Sequence, residues 1–271
     1  MSNKELSVLQ RAKDEGRVTF IHEPYPVMVI SDALPEDLYQ RLSDEYPSPK
    51  ECFRLDDKDH TIMNPNTRYQ INTDKLLNDP GVTPLWKEFA RYHTSRAFFL
   101  EVLDLFEEDI RKKHPNLERD MGRQMRTWTT GIRRRTLKDD LVMDCQPGIN
   151  SPTIQKSSVK GPHVDNKIEL YAGLLYMRKP GDDSKGGALE IYSHPTGKYK
   201  LERHPIWGKN TVIDAQLKRI HSVPYQKNCF AFFVNSFDSL HGVSDRFPTL
   251  HCRRLVNIIG EIPNHSKKGL W

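Results

Sequence analysis

Gly161-Pro162-His163-Val164-Asp165-Asn166 lies between a connection rich in Pro, Gly and Ser (147–158) and a series of short apolar runs, and its reading decides the rest of the chain. At the end of a strand, residues two apart point to one face, so His163 and Asp165 reach toward the same side. Downstream come Glu169 to Met177, Ala188 to Tyr192, Thr211 to Ile213, Cys229 to Val234 and Arg253 to Ile259. These runs are β-branched or aromatic and are separated by turn residues such as Lys179-Pro180-Gly181-Asp182 and Gly186-Gly187. That spacing predicts an all-β sandwich or barrel. Just upstream, Met125 to Ile132 and Asp140 to Cys145 read as extended.

A third partner for the pair has to come from far along the chain. His241, in Ser239-Leu240-His241-Gly242-Val243, follows the run Cys229 to Val234 and a turn. Two imidazoles and one carboxylate on one face of a metal leave three coordination positions open, the arrangement used by non-haem iron(II) oxygenases. The same three ligands also suit a zinc hydrolase with an activated water, or a cupin-like binding protein without turnover. No His-Glu-x-x-His segment supplies a general base for the hydrolase.

Four segments in order give the stretch from Asp140 to Glu261 a family likeness. They are His163-Val164-Asp165-Asn166, Leu174-Leu175-Tyr176-Met177, Gly186-Gly187-Ala188-Leu189-Glu190-Ile191-Tyr192, and His241-Gly242-Val243 followed by Arg253-Arg254. Together they resemble the 2-oxoglutarate/Fe(II) dioxygenase superfamily, in particular its prolyl-4-hydroxylase-like branch. The entry segment Val27 to Ile30, leading into Leu34-Pro35-Glu36-Asp37-Leu38, is similar as well.

The resemblance implies an α+β fold whose core is a double-stranded β-helix, a jelly-roll or cupin-like barrel, buttressed by N-terminal helices. It implies Fe(II) on His163, Asp165 and His241, with 2-oxoglutarate and O2 as co-substrates and ascorbate as a supporting reductant. Oxidative decarboxylation to succinate and CO2 then drives hydroxylation of an unactivated C–H bond. Desaturation or cyclisation uses the same ligands. Because Asp165 keeps the carboxylate that halogenating relatives lack, hydroxylation is the expected outcome. In the family, a basic residue after the distal histidine holds the far carboxylate of 2-oxoglutarate, a task suited to the two parallel donors of a guanidinium. Only one of Arg253 and Arg254 can face inward; Arg254-Leu255-Val256 fits the family pattern better, and Arg253 is the fallback. Tyr176 matches the tyrosine that bonds the same carboxylate. Gln146 stands where relatives often place a tyrosine and would act as a substitute donor.

The chain reads as one domain over residues 1–271, with 1–120 as helical and strand support and 121–271 as the catalytic core. Val18 to Ile30 reads as a strand pair. Pro35 with Glu36 and Asp37 marks the start of a helix. Trp86 to Lys113 carries an apolar stripe of helical period that His114-Pro115 ends. The polar segment Cys52 to Pro84 reads as a long irregular connection and a lid, and Arg68 would belong to it.

With 271 residues, 28% charged and 37% hydrophobic, the composition is that of a globular protein, and no apolar run is long enough to span a bilayer. Met1 to Arg17 lacks the apolar core of a signal peptide, which reads as cytoplasmic. The four cysteines form no Cys-x-x-Cys pair, so neither a zinc ribbon nor a disulfide framework is implied. A net charge of +5 permits an anionic substrate without calling for nucleic acid. Arg123, Arg126, Arg133, Arg134 and Arg135 suggest a basic mouth for such a substrate, here a small molecule or an amino-acid or peptidyl group. His194, His204 and His221 lie near turns and read as exposed.

Overall fold

The computed structural model describes residues 3–57, 61–200, 202–203, 210–212, 216–263 and 269–271. Along the chain run β1 (Val18–Ile21), β2 (Val27–Ile30), α1 (Glu36–Asp44), α2 (Pro49–Leu55), β3 (Arg68–Gln70), α3 (Thr73–Asn78), α4 (Pro84–His93), α5 (Arg96–Lys113) and α6 (Leu117–Met121). The second half holds β4 (Thr130–Ile132), β5 (Leu141–Asn150), β6 (Glu169–Tyr176), β7 (Leu189–Ser193), β8 (Glu202–Arg203), β9 (Asn210–Thr211), β10 (Lys218–Val223), β11 (Cys229–Val234), β12 (His241–Val243) and β13 (Arg253–Glu261).

Strands of the second half alternate between two sheets. The large one has the order β1-β2-β11-β6-β13-β5-β3, with β4 beside β5, and the small one has the order β10-β7-β12. An isolated bridge between His163 and His241 extends the small sheet beyond β12. Chain order thus steps β5 (large), His163 (small), β6 (large), β7 and β10 (small), β11 (large), β12 (small), β13 (large). That winding is the double-stranded β-helix expected from the resemblance. The hydrogen bonding does not close into a barrel among the described residues; the two sheets face each other across an apolar layer.

Pairing register assigns the two faces of the large sheet. Leu255 lies opposite Tyr176 and Gly148, and Ile259 opposite Ala172. These residues meet Leu189, Ile191 and Val223 of the small sheet, which defines the inner face. The alternate residues Val256, Ile258, Leu175, Phe230 and Phe232 join the cluster that holds Phe98, Val102, Phe106 and Ile110 of α5. Phe106 and Phe232 bring their rings to 4.6 Å. Each such side chain taken fully from water contributes roughly 1.5–3 kcal/mol, so the helical layer anchors the sheet that carries the site.

Two sequence expectations change here. Cys52 to Pro84 is not irregular: it ends α2, forms β3 and α3, and leads into α4. Its polar residues serve as caps and ties. Thr83 caps α4 by accepting from the Trp86 N–H, and Thr73 lies against Cys145 and Asp144 of β5. Trp86 to Lys113 is two helices, because Thr94 turns its hydroxyl back onto the Ala90 carbonyl and Ser95 caps α5 through the Phe98 N–H. The run Thr211 to Ile213 is a strand only over Asn210–Thr211; Ile213 and His204 lie outside the described residues. No helix among the described residues is long and apolar enough to cross a membrane.

Candidate metal centre

His163 and His241 face each other as an antiparallel pair. The His163 N–H donates to the His241 carbonyl (2.9 Å) and the His241 N–H to the His163 carbonyl (3.0 Å). Directly opposed residues send their side chains to the same side. The two imidazoles therefore stand side by side, ring centroids 4.3 Å apart. Asp165, two residues beyond His163, comes to the same place: its Oδ1 is 3.5 Å from His163 Nε2 and its Oδ2 3.2 Å from His241 Nε2. One ligand atom from each of the three lies within 4.8 Å of the others.

Both rings have a set tautomer. His163 Nδ1 lies 2.7 Å from the Gly161 carbonyl and His241 Nδ1 2.8 Å from the Ser239 carbonyl. A carbonyl only accepts, so Nδ1 carries the proton and each Nε2 lone pair points at Asp165. Burial, aided by Lys160 and His241, holds the His163 imidazole neutral by pushing its pKa well below the ordinary value. Burial alone would raise the Asp165 carboxyl, but the Lys160 ammonium 3.1 Å away, with His241, outweighs it and keeps the group ionised. Two imidazole nitrogens and one carboxylate suit a divalent first-row metal and leave part of its coordination sphere free.

Behind the triad, β13 splits its two arginines. Arg253 lies in register with Asn150 and enters the inner face, whereas Arg254 faces the helices. The sequence pattern favoured Arg254; the structure gives the inward place to Arg253, because Leu255 and Ile259 must point inward to fill the layer between the sheets. Arg254 is tied to the outer layer, with only its Nε lacking a partner: its Nη2 donates to the Ser43 carbonyl (2.7 Å) and its guanidinium lies 4.0 Å from the Tyr46 ring centre. Arg253 donates from Nε to the Gly187 carbonyl (2.7 Å) and from Nη1 to Asn150 Oδ1 (2.9 Å), 4.9 Å from the Tyr176 ring centre. Its Nη2 has no partner, nor has the Tyr176 hydroxyl or Asn150 Nδ2, although all three are sealed from solvent. Unpaired buried donors cost roughly 1–3 kcal/mol each, and three of them gathered on one face suit an acceptor group.

The glycine pair forms one wall. Gly187 has φ +78°, and a Cβ there would come within 2.8 Å of Arg253 Cδ; at Gly186, φ +84°, it would meet the Asp245 carbonyl oxygen at 1.7 Å. Only glycine lets the Gly187 carbonyl approach the guanidinium.

Gln146 also lies on the inner face but does not join Arg253. Its Nε2 donates to Asn72 Oδ1 (2.6 Å) and Asp144 Oδ2 (2.7 Å), which ties β5 to the start of α3. Nor do the five clustered arginines form a free basic mouth. Arg123 pairs with Asp140, Arg126 with Asp104 and Glu107, Arg133 with Glu261, Arg134 with Asp57, and Arg135 with Asp74. An arginine run without visible carboxylates in sequence is neutralised by acids the fold brings from elsewhere. His221 is exposed, and His194 lies against Thr196 of its own turn and the Tyr199 ring.

Sequence reasoning missed Asn150 and misplaced Arg68. Arg68 is not in a lid: it lies on β3 directly opposite Asn150, beside Arg253 across two strand spacings. The one signal was the alternation Arg68-Tyr69-Gln70, with only Tyr69 packed among the helices.

No family model matches the chain, and no curated protein matches it. Among solved structures it is similar to a prolyl-4-hydroxylase of Pseudomonas putida (14% identity, 87% of this chain and 91% of that one, TM-score 0.40). It is similar also to a prolyl 4-hydroxylase of Phytophthora capsici (14% identity, 96% of this chain and 63% of that one, TM-score 0.45). A third is the epimerase SnoN in complex with Fe3+, alpha-ketoglutarate and nogalamycin RO (11% identity, 87% and 78% coverage, TM-score 0.44).

Proposed function

We propose that the chain is an iron(II)- and 2-oxoglutarate-dependent oxygenase that hydroxylates an unactivated C–H bond. The carrying observation is a two-histidine, one-carboxylate triad together with a buried guanidinium and phenol that lack acceptors, Arg68 lying within electrostatic reach of Asp165, Arg253 and Tyr176 alike. A 2-oxo diacid suits both halves, one end chelating the metal and the other meeting Arg253 and Tyr176. Bound iron with 2-oxoglutarate would supply the activation of O2, coupled to release of succinate and CO2.

The chain's residues do the rest. The Gly161 and Ser239 carbonyls fix the Nδ1–H tautomers and so aim both Nε2 lone pairs. Asp165 offers the hard oxygen donor, and Lys160 holds it ionised. Arg253, braced by Gly187 and Asn150, presents a pre-aimed Nη2, and Tyr176 adds its hydroxyl; neither has to reorganise when a carboxylate arrives. Phe233, 4.8 Å from His241 between ring centres, keeps water from that flank of the triad.

A zinc hydrolase on the same ligands has no use for unpaired cationic donors at the back of the cavity. The test is to incubate the protein with Fe(II), 2-oxoglutarate and ascorbate and to measure succinate, together with anaerobic binding of 2-oxoglutarate to the Fe(II) form. Absence of both in the folded protein overturns the reading. The primary substrate we take to be a small molecule or an amino-acid or peptidyl group.

A further inference from the structure

Arg68, Asn150 and Arg253 stand side by side on three neighbouring strands, β3, β5 and β13, at positions directly paired in register. Their side chains share the inner face. Asn150 and Arg253 are almost wholly buried, at 1% and 2% exposure. Each of the three keeps a sealed donor without a partner: Arg68 Nε, Asn150 Nδ2 and Arg253 Nη2. Among the described residues neither guanidinium has a carboxylate in salt-bridge reach, in contrast to the five arginines of 123–135, each paired with an acid. Burial, then the neighbouring Arg253 charge, pushes Arg68 down to about 10, with Asp165 opposing; the group still carries its charge at neutral pH.

Charge balance then leaves a surplus. Asp165 is the one carboxylate of the triad, and it faces both imidazoles and the Lys160 ammonium. On the reading above, on which this inference rests, one end of 2-oxoglutarate goes to the metal and the other to Arg253. That uses the whole dianion and leaves Arg68, half-buried with its Nε sealed, without a counter-charge among the described residues, where an uncompensated ion is costly. A second anion resolves it.

We propose that Arg68 forms a second anion subsite beside the co-substrate, with Asn150 as the shared divider, and that the primary substrate carries a carboxylate, phosphate or similar group which Arg68 and Asn150 bind. Arg68 thereby selects the substrate, and Arg253 the co-substrate.

Inorganic phosphate is the probe. Protein loaded anaerobically with Fe(II) and saturated with 2-oxoglutarate is titrated with phosphate by calorimetry, for wild type, Arg68→Gln and Arg68→Lys. The expected result is saturable one-to-one binding by wild type. Loss of a charge-assisted contact should weaken it about tenfold or more in Arg68→Gln, with partial recovery in Arg68→Lys. Affinity of Arg68→Gln for 2-oxoglutarate should stay within about threefold of wild type, since that ligand is held elsewhere. Three outcomes overturn the proposal: no saturable phosphate binding to the loaded wild type, equal binding by Arg68→Gln, or a loss of 2-oxoglutarate affinity in Arg68→Gln comparable with that of Arg253→Gln. Failure of the parent reading looks different: wild type then binds no 2-oxoglutarate at all, while phosphate binding that depends on Arg68 persists. Melting curves of both Arg68 variants separate misfolding from loss of the site.

Discussion

Arg253 and Arg254 are adjacent, equally charged and equally hidden, yet they stand in opposite situations. On the helix side Arg254 is tied to the fold with only its Nε unpartnered: Ser43 accepts from its guanidinium, Tyr46 stacks beneath it, and the Tyr225 hydroxyl accepts from its backbone N–H. On the inner side Arg253 is braced by Gly187 and Asn150 but keeps a donor in reserve. The unpaired Nε of Arg254 stands on the helix side, whereas the unpaired Nη2 of Arg253 shares the inner face with the unpaired groups of Asn150 and Tyr176. On the function proposed above, it is that gathering of donors which a ligand carboxylate meets. The same contrast separates the arginines of 123–135, all paired with acids, from Arg68.

The sharpest way to break this comparison is at the triad itself. His163→Ala or His241→Ala removes an Nε2 ligand from a three-donor set. Succinate formation should fall by roughly a thousandfold or more, toward the level without catalyst, and Fe(II) binding should weaken with it. Retained activity in either variant would detach the inner face from function altogether.

Next comes exchange between the two arginines. Arg253→Gln should raise the 2-oxoglutarate requirement by about a hundredfold, the equivalent of roughly 3 kcal/mol, and leave the melting temperature nearly unchanged, because it also removes a buried unpaired donor. Arg254→Gln should do the reverse: about 2 kcal/mol of stability lost in chemical denaturation, with the 2-oxoglutarate requirement held. If the effects swap, the register of β13 is displaced by one residue.

Gly187→Ala sharpens the comparison further. Its added Cβ meets the Arg253 side chain and sits at a positive φ, so a stability loss of about 1–2 kcal/mol should accompany a rise of about tenfold in the 2-oxoglutarate requirement. A stability loss without any kinetic change would show that the Gly187 carbonyl does not aim Arg253.

The smallest effect belongs to the helical layer. His93 accepts the Val8 N–H at Nε2 and is pushed down to about 3 by burial. Below the ordinary imidazole pKa of about 6.5 the unfolded chain takes up a proton that the folded one refuses, so stability falls as pH drops from there toward 3, by up to ~1.4 kcal/mol per unit. His93→Gln should flatten that dependence in denaturation curves between pH 6.5 and 5, where the carboxylates contribute least. An unchanged slope would place the proton uptake elsewhere.

How much of this was legible before folding varies with the kind of signal. His163 and Asp165 could be read because their neighbours in sequence are also their partners in space: Gly161 holds His163, and two-residue spacing puts Asp165 beside it; the Gly186-Gly187 turn was legible from residue type. The strand Cys229 to Val234 followed from its short apolar run, and the winding between sheets from the family resemblance. The segment Cys52 to Pro84 was misread because Thr83 caps α4 and Thr73 ties α3 to β5, the latter a contact made across a long sequence gap.

What the sequence determined by itself is the chemistry of the ligands and the alternation of the strands, since both depend on residue type and local period. Which arginine turns inward, that Arg68 shares a face with Arg253, and that every arginine of 123–135 finds an acid were decided only by tertiary structure. The reason is the two-residue period of a strand. A shift of one position sends every side chain to the opposite face, and only packing of Leu255 and Ile259 between the sheets chooses between the two.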